Sequence, residues 1–132
     1  MKFTIKVEPR TKKNSMRVFQ RNGRTIVIPS QAYKDFENQC LMQIYNSKNK
    51  PINYPVNIKA IFYMKTKRKV DLTNLLEAVD DMLVQAKIIE DDNRDIVASH
   101  DGSLVLYDKE NPRIEIEIIK KEGYTQWKNT KS

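Results

Sequence analysis

Strict alternation at Val56, Ile58, Ala60, Phe62 and Met64 gives way to helical spacing at Leu72, Leu75, Leu76, Val79, Met82, Leu83 and Ala86. A period of two becomes a period of 3.6 across one short bridge, which predicts a long strand running into a helix buried along one side. That handover constrains the fold more than any other feature, because strand and helix must share one core. The bridge is basic, with Lys65, Lys67, Arg68 and Lys69, whereas Asp71 opens the helix and Glu77, Asp80 and Asp81 lie along it. Ile89-Glu90-Asp91-Asp92 follows closely. Carboxylates therefore gather inside a chain whose formal net charge is +7, from 24 Lys and Arg against 17 Asp and Glu.

Acidic side chains set among cations suit metal-assisted attack on a polyanion. The carboxylates hold Mg²⁺, or Mn²⁺ in its place, and the cations hold a phosphodiester backbone. The basic excess favours an anionic partner, nucleic acid ahead of a membrane surface. Other chemistries are poorly supplied. Three glycines in 132 residues provide no phosphate-cradling loop for a nucleotide. Cys40 is the only cysteine, so there is neither a disulfide framework nor a cysteine-rich zinc site, and its apolar surroundings predict a buried, inert thiol. No Ser-His-Asp or Cys-His arrangement suggests nucleophilic catalysis.

The rest of the chain reads as one small domain. Phe3, Ile5 and Val7 alternate with Lys2, Thr4 and Lys6 and predict a first strand, stopped by Pro9. Arg10-Thr11-Lys12-Lys13-Asn14-Ser15 reads as an exposed basic loop. Asn22-Gly23, flanked by Arg17–Arg21 and Arg24–Ile28, predicts a β-hairpin carrying Arg17, Arg21 and Arg24. Ser30 is the expected N-cap of a first helix whose core face is Tyr33, Phe36, Cys40, Leu41, Ile44 and Tyr45, ended by Lys48-Asn49-Lys50-Pro51. Ile96–His100 predicts a short strand, Asp101-Gly102 a turn, and Arg113–Ile118 a last strand. The order is β, β-hairpin, α, β, α, β, β, a mixed α/β (α+β) domain with a mixed sheet and two main helices. Residues 1–119 are assigned to the domain and 120–132 to a basic, mobile tail. With no signal peptide and no long apolar run, a cytoplasmic location is expected, without a membrane partner.

The acidic residues pose a geometric problem. A helix from Leu72 to Ala86 is about 22 Å long, so Asp71 at one end and Asp91 and Asp92 beyond the other cannot meet by themselves. Either Lys87-Ile88-Ile89-Glu90 folds back along the helix, or a second subunit supplies one half. Each group also has a structural explanation: an Asp before a helix caps it, and Asp-Asp-Asn forms a turn. His100, beside Asp101, reads as a general base, an outer-shell ligand or a structural residue.

Asp71-Leu72-Thr73-Asn74-Leu75, then Ala78, Asp81-Met82-Leu83 and Asp91-Asp92, resembles the core of the RusA-type Holliday junction resolvases. Their pattern is Asp-x-Asp-Asn-Leu, a helix carrying Lys, Ala and Asp-x-Leu, and a closing Asp-Asp pair. The opening strand with Lys13-Asn14-Ser15, the helix start Gln31–Asp35 and the strand at Ile114–Ile116 fit as well, so the likeness covers Lys2 to Ile118.

The resemblance implies a homodimeric, Mg²⁺-dependent endodeoxyribonuclease, often encoded by phages and prophages, that resolves four-way DNA junctions by symmetrical nicking. It implies metal-binding and cleavage roles at the positions of Asp71, Thr73 and Asp92, with Asp91 adjoining them, and an assisting Lys at the position of Glu77. Two residues depart from the pattern: Thr73 replaces an Asp, and Glu77 replaces the Lys. Glu77 lies one helical turn beyond Thr73 and either restores the missing carboxylate or leaves a protein that binds junctions without cutting them. On the active reading, Asp71, Asp91 and Asp92 hold Mg²⁺, with Glu77 or Thr73 completing the shell. Arg10, Lys12, Lys13, Asn14, Lys65, Lys67, Arg68 and Lys69 then follow the DNA. A non-catalytic DNA-binding module of the same fold is the rival reading.

Overall fold

The computed structural model describes residues 1–12, 16–46 and 50–123. Strand β1 (Lys2–Ile5) is followed by the hairpin strands β2 (Met16–Arg21) and β3 (Arg24–Pro29), helix α1 (Gln31–Ile44), and the long strand β4 (Val56–Met64). Helix α2 (Leu72–Gln85) then precedes β5 (Val97–Ser99), β6 (Leu104–Tyr107) and β7 (Arg113–Lys120). The expected mixed α+β class with two helices and a mixed sheet is the observed one.

Strand β7 lies antiparallel between β1 and β4. The other edge of β4 takes two short parallel strands, β5 beside its start and β6 beside its end. Parallel pairing of β4 with β5 needs a crossover, and α2 provides it. One sheet face carries Ile58, Ala60, Phe62, Ile114, Ile116 and Ile118. These pack in a single core with Tyr33, Phe36 and Cys40 of α1 and Leu75, Val79, Met82 and Leu83 of α2. The opposite face pairs Lys2 with Glu117 and Glu117 with Lys59 across neighbouring strands, the half-solvated pattern of an antiparallel sheet. Arg113 pins the entry to β7, with ion pairs to Asp108 (2.9 Å) and Glu115 (3.0 Å) and its guanidinium 3.6 Å from the Tyr63 ring centre.

The helix start at Ser30 is as the sequence predicts: its hydroxyl accepts from the Tyr33 amide at 3.2 Å. The end of α1 differs from expectation. The helix stops at Ile44, and Tyr45 is its C-cap, 52% exposed and not part of the core face. Its ψ of 126° takes the chain out of the helix before the ring can turn inward. Residues 48 and 49 of the expected stop signal lie outside the described residues. Strand β6 is an addition. Leu104-Val105-Leu106-Tyr107 is apolar at every position, so it shows no alternation, and as an edge strand it leaves Leu104 and Leu106 exposed. The last strand reaches Lys120, one residue into the segment assigned to the tail. The tail beyond residue 123 lies outside the described residues.

The chain turns back on itself after α2, the first of the two alternatives that the helix length left open. Ala86 caps the helix, and Lys87 takes φ +61°, the left-handed conformation that reverses the chain. The Lys87 amide donates to the Val84 carbonyl (3.0 Å) and the Ile88 amide to that of Leu83 (3.0 Å), a Schellman motif. Ile88 and Ile89 are buried, and Ile89 forms a parallel bridge with Ile52. This fold-back carries Asp92 toward the polar side of α2.

Candidate active site

The polar side of α2 forms one wall of a cleft of about 460 Å³. Asn74, Glu77, Ala78 and Asp81 come from the helix, Tyr33 from α1, Lys12 from the segment before the hairpin, and Asp92 from the fold-back. The spacing explains the wall: positions 74, 77, 78 and 81 recur at three and four residues and share a helix face opposite the buried leucines. Three carboxylates, those of Glu77, Asp81 and Asp92, thus face one space, with Lys12 as the cation among the lining residues.

The predicted site residues are distributed unevenly around it. Asp92 and Glu77 line the cleft. Asp71 stands one turn before it as the N-cap of α2; its side chain makes no cap hydrogen bond and instead accepts from Asn74 Nδ2 at 3.2 Å. Asp71 is therefore tied to the wall through Asn74 without itself lining the cleft. Thr73 is exposed and is not among the lining residues. Asp91 holds the loop, accepting from the Asp92 amide (2.7 Å) and from Asn93 Nδ2 (3.2 Å). Lys65, Lys67, Arg68 and Lys69 are exposed on the loop that enters α2, with Lys67 Nζ 5.0 Å from the Tyr107 ring centre. Arg10 faces Glu8 at 3.7 Å. Lys13 and Asn14 lie outside the described residues.

The Asp92 carboxyl titrates above the ordinary aspartate value. Burial is the leading cause; the side-chain contact with Asp91 and the charges of Asp91 and Asp80 add to it. Behind it, Asp80 is 8% exposed although charged, and both its oxygens meet His100 Nε2, at 3.0 and 2.9 Å. That hydrogen bond raises the His100 pKa against the opposing effect of burial. Asn57 sets this geometry: its Oδ1 accepts from Ser99 Oγ (2.6 Å) and from the Asp101 amide (2.7 Å), holding the backbone on either side of His100. Tyr33 is held protonated by burial and by the charges of Glu37 and Asp81. Burial pushes the Cys40 thiol up to about 12, in keeping with the inert thiol expected.

The donors suit a hydrated divalent ion. Among the described residues no three carboxylate, imidazole or thiolate groups converge closely enough to enclose a metal. Mg²⁺ does not require such a cage; it keeps several waters and takes one or two carboxylates together with substrate phosphate. Asp92, Glu77 and Asp81 line one open cleft and are the residues there that could hold such an ion.

Sequence reasoning did not assign Asp81 or Tyr33 to the site, and it weighed His100 as a general base, an outer-shell ligand or a structural residue without pairing it with Asp80. Asp81 had a visible signal, since it lies four residues beyond Glu77 on one face. Asp80 also had one, because it lies between Leu76 and Leu83 at helical spacing, where a charge needs a partner. That this partner is His100 depends on the packing of the loop after β5 and is not visible in the sequence.

These features are those of a small α+β nuclease with a carboxylate-lined cleft. The chain belongs to the endodeoxyribonuclease RusA family, whose pattern matches residues 6–119 of the 132. No curated protein matches it. Among the described residues no helix is long and apolar enough to cross a membrane.

Proposed function

We propose that this protein is a divalent-metal-dependent endonuclease that nicks four-way DNA junctions symmetrically as a homodimer. The observation that carries the reading is the convergence of Asp92 with Glu77 and Asp81 on one open cleft in a basic chain of this family. Mg²⁺, or Mn²⁺ in its place, supplies charge neutralisation at the phosphate and a more acidic bound water. Asp92 and Glu77 hold it, with Asp71 acting through Asn74. Lys12 orients the scissile strand by its charge, and Lys65, Lys67, Arg68 and Lys69 follow the flanking backbone without reading bases. Tyr33, protonated and at the back of the cleft, offers a hydrogen bond to a phosphate oxygen. The Asp80–His100 pair holds α2 and the loop after β5 together beneath Asp92.

Incubation of the purified protein with a synthetic four-way junction, with Mg²⁺ and with chelator, tests the reading. Nicks at symmetry-related positions, present only with the metal and lost in Asp92→Asn while junction binding survives, are expected. Equal nicking by Asp92→Asn would remove that residue from the machinery.

A second reading, a junction binder with a weak site, is favoured by Thr73 and Glu77, which replace an acid and a lysine of the family pattern. Inactive wild-type protein that gains cleavage on Thr73→Asp would establish it.

A further inference from the structure

The β2–β3 hairpin forms a two-stranded sheet of its own, outside the main sheet. Asn22 (φ +52°) and Gly23 (φ +75°) both take the left-handed conformation at its tip, which gives the tight turn that matches strand twist. The register places Arg21 directly opposite Arg24. Opposed residues project from the same face, so two like charges stand side by side, an arrangement that destabilises a ribbon unless an anion joins them. Both are exposed, and neither forms an ion pair with any described residue. Lower on the other face, Val18 opposes Val27, with 62% and 52% of their surfaces in solvent. A ribbon so little covered is at best marginally stable alone.

The chain reaches the cleft four residues before β2 and four residues after β3. Lys12 precedes the hairpin and Tyr33 follows it, and each lines the same space as Asp92. A six-residue strand extends about 20 Å, which corresponds to roughly six nucleotides at about 3.4 Å each. A two-stranded ribbon also matches the width of the DNA major groove.

Resting on the nuclease reading above, we propose that the hairpin is a second DNA contact. It is an arm that lies along the duplex flanking the cleft, with Arg21 and Arg24 together clamping backbone phosphate several nucleotides from the one in the cleft. Paired guanidiniums are suited to this because each presents a planar fork of donors to phosphate oxygens.

The test measures junction binding in chelator, so that no strand is cut, across a range of salt concentrations. Arg21→Ala/Arg24→Ala should flatten the slope of log K against log salt by about 1.8 per chain, two phosphate contacts at about 0.9 each. Hydroxyl-radical protection should disappear several nucleotides from the cleavage site while remaining at the site itself. Arg21→Lys/Arg24→Lys, which keeps the charge, should retain most of the slope. An unchanged slope and footprint in the alanine variant, beside wild-type protein that binds and nicks, overturns the arm and leaves the nuclease reading intact. Wild-type protein that binds no DNA overturns both. An unchanged slope with a smaller mass by light scattering makes the hairpin a contact between copies of the chain and also overturns the proposal. A matching thermal midpoint confirms that the variants are folded.

Discussion

A buried carboxylate on the core side of a helix needs a partner, and at Asp80 that partner is an imidazole. His100 has a raised pKa because Asp80 accepts its hydrogen bond. The folded value therefore lies above the unfolded one, near 6.5. The stability from the pair is fully present below that unfolded value and is lost as pH rises through the folded one. Thermal midpoints should accordingly fall as pH rises from below 6.5 through the raised folded value in the wild-type protein and fall less in His100→Gln; parallel curves would show that the imidazole contributes nothing. Glu77 makes a separate prediction. If it replaces the carboxylate absent at position 73, Glu77→Gln should lower the nicking rate by roughly a hundredfold without weakening binding. Normal nicking by that variant in a single-turnover assay would make Glu77 a surface residue and leave the metal to Asp92 and Asp81.

The turn after α2 decides whether Asp92 reaches the cleft at all. Lys87 holds the left-handed position normally taken by glycine, at a cost of about 1 kcal/mol for a side chain with a Cβ. Lys87→Gly should therefore stabilise the protein by about that much, read as a higher denaturant midpoint, and leave nicking unchanged. The Schellman bonds to Val84 and Leu83 and the burial of Ile88 and Ile89 require no lysine there. Loss of stability in the glycine variant would mean that the Lys87–Tyr45 ring contact, 5.8 Å to its centre, matters more than backbone strain.

For the whole molecule, charge and symmetry carry the argument. A net charge of +7 and a cleft lined by Glu77, Asp81 and Asp92 suit a polyanion, and on the proposed reading a two-fold dimer would meet two equivalent cleavage points with two such clefts. Light scattering at micromolar concentration should give about twice the 15.5 kDa chain mass; a monomer would count against symmetrical resolution. If such a dimer neutralises on the order of ten phosphates, log K should fall with log salt at a slope near −9. Replacing Lys67, Arg68 and Lys69 together should flatten that slope, and an unchanged slope would mark the basic loop as a solvated face.

What the sequence determined is what depends on neighbours in the chain. Alternation set β1, β4 and β7; helical spacing set both helices; Ser30 and Asn22-Gly23 set a cap and a turn. The spacing of Asp71, Asn74, Asp81 and Asp91-Asp92 marked out a family, because these are local relations that survive without coordinates. Tertiary structure decided the rest. It brought Asp92 to Glu77 and Asp81 through a left-handed residue at a lysine, where sequence signals would look for glycine. It joined Asp80 to His100 through an asparagine on β4, in side-chain contacts between residues far apart in the chain. It also added β6, whose uninterrupted apolar run becomes a strand only because the end of β4 offers an unpaired edge. Periodicity reports which side of an element is buried, whereas convergence of charges depends on how elements are turned against one another, and only the packed core fixes that.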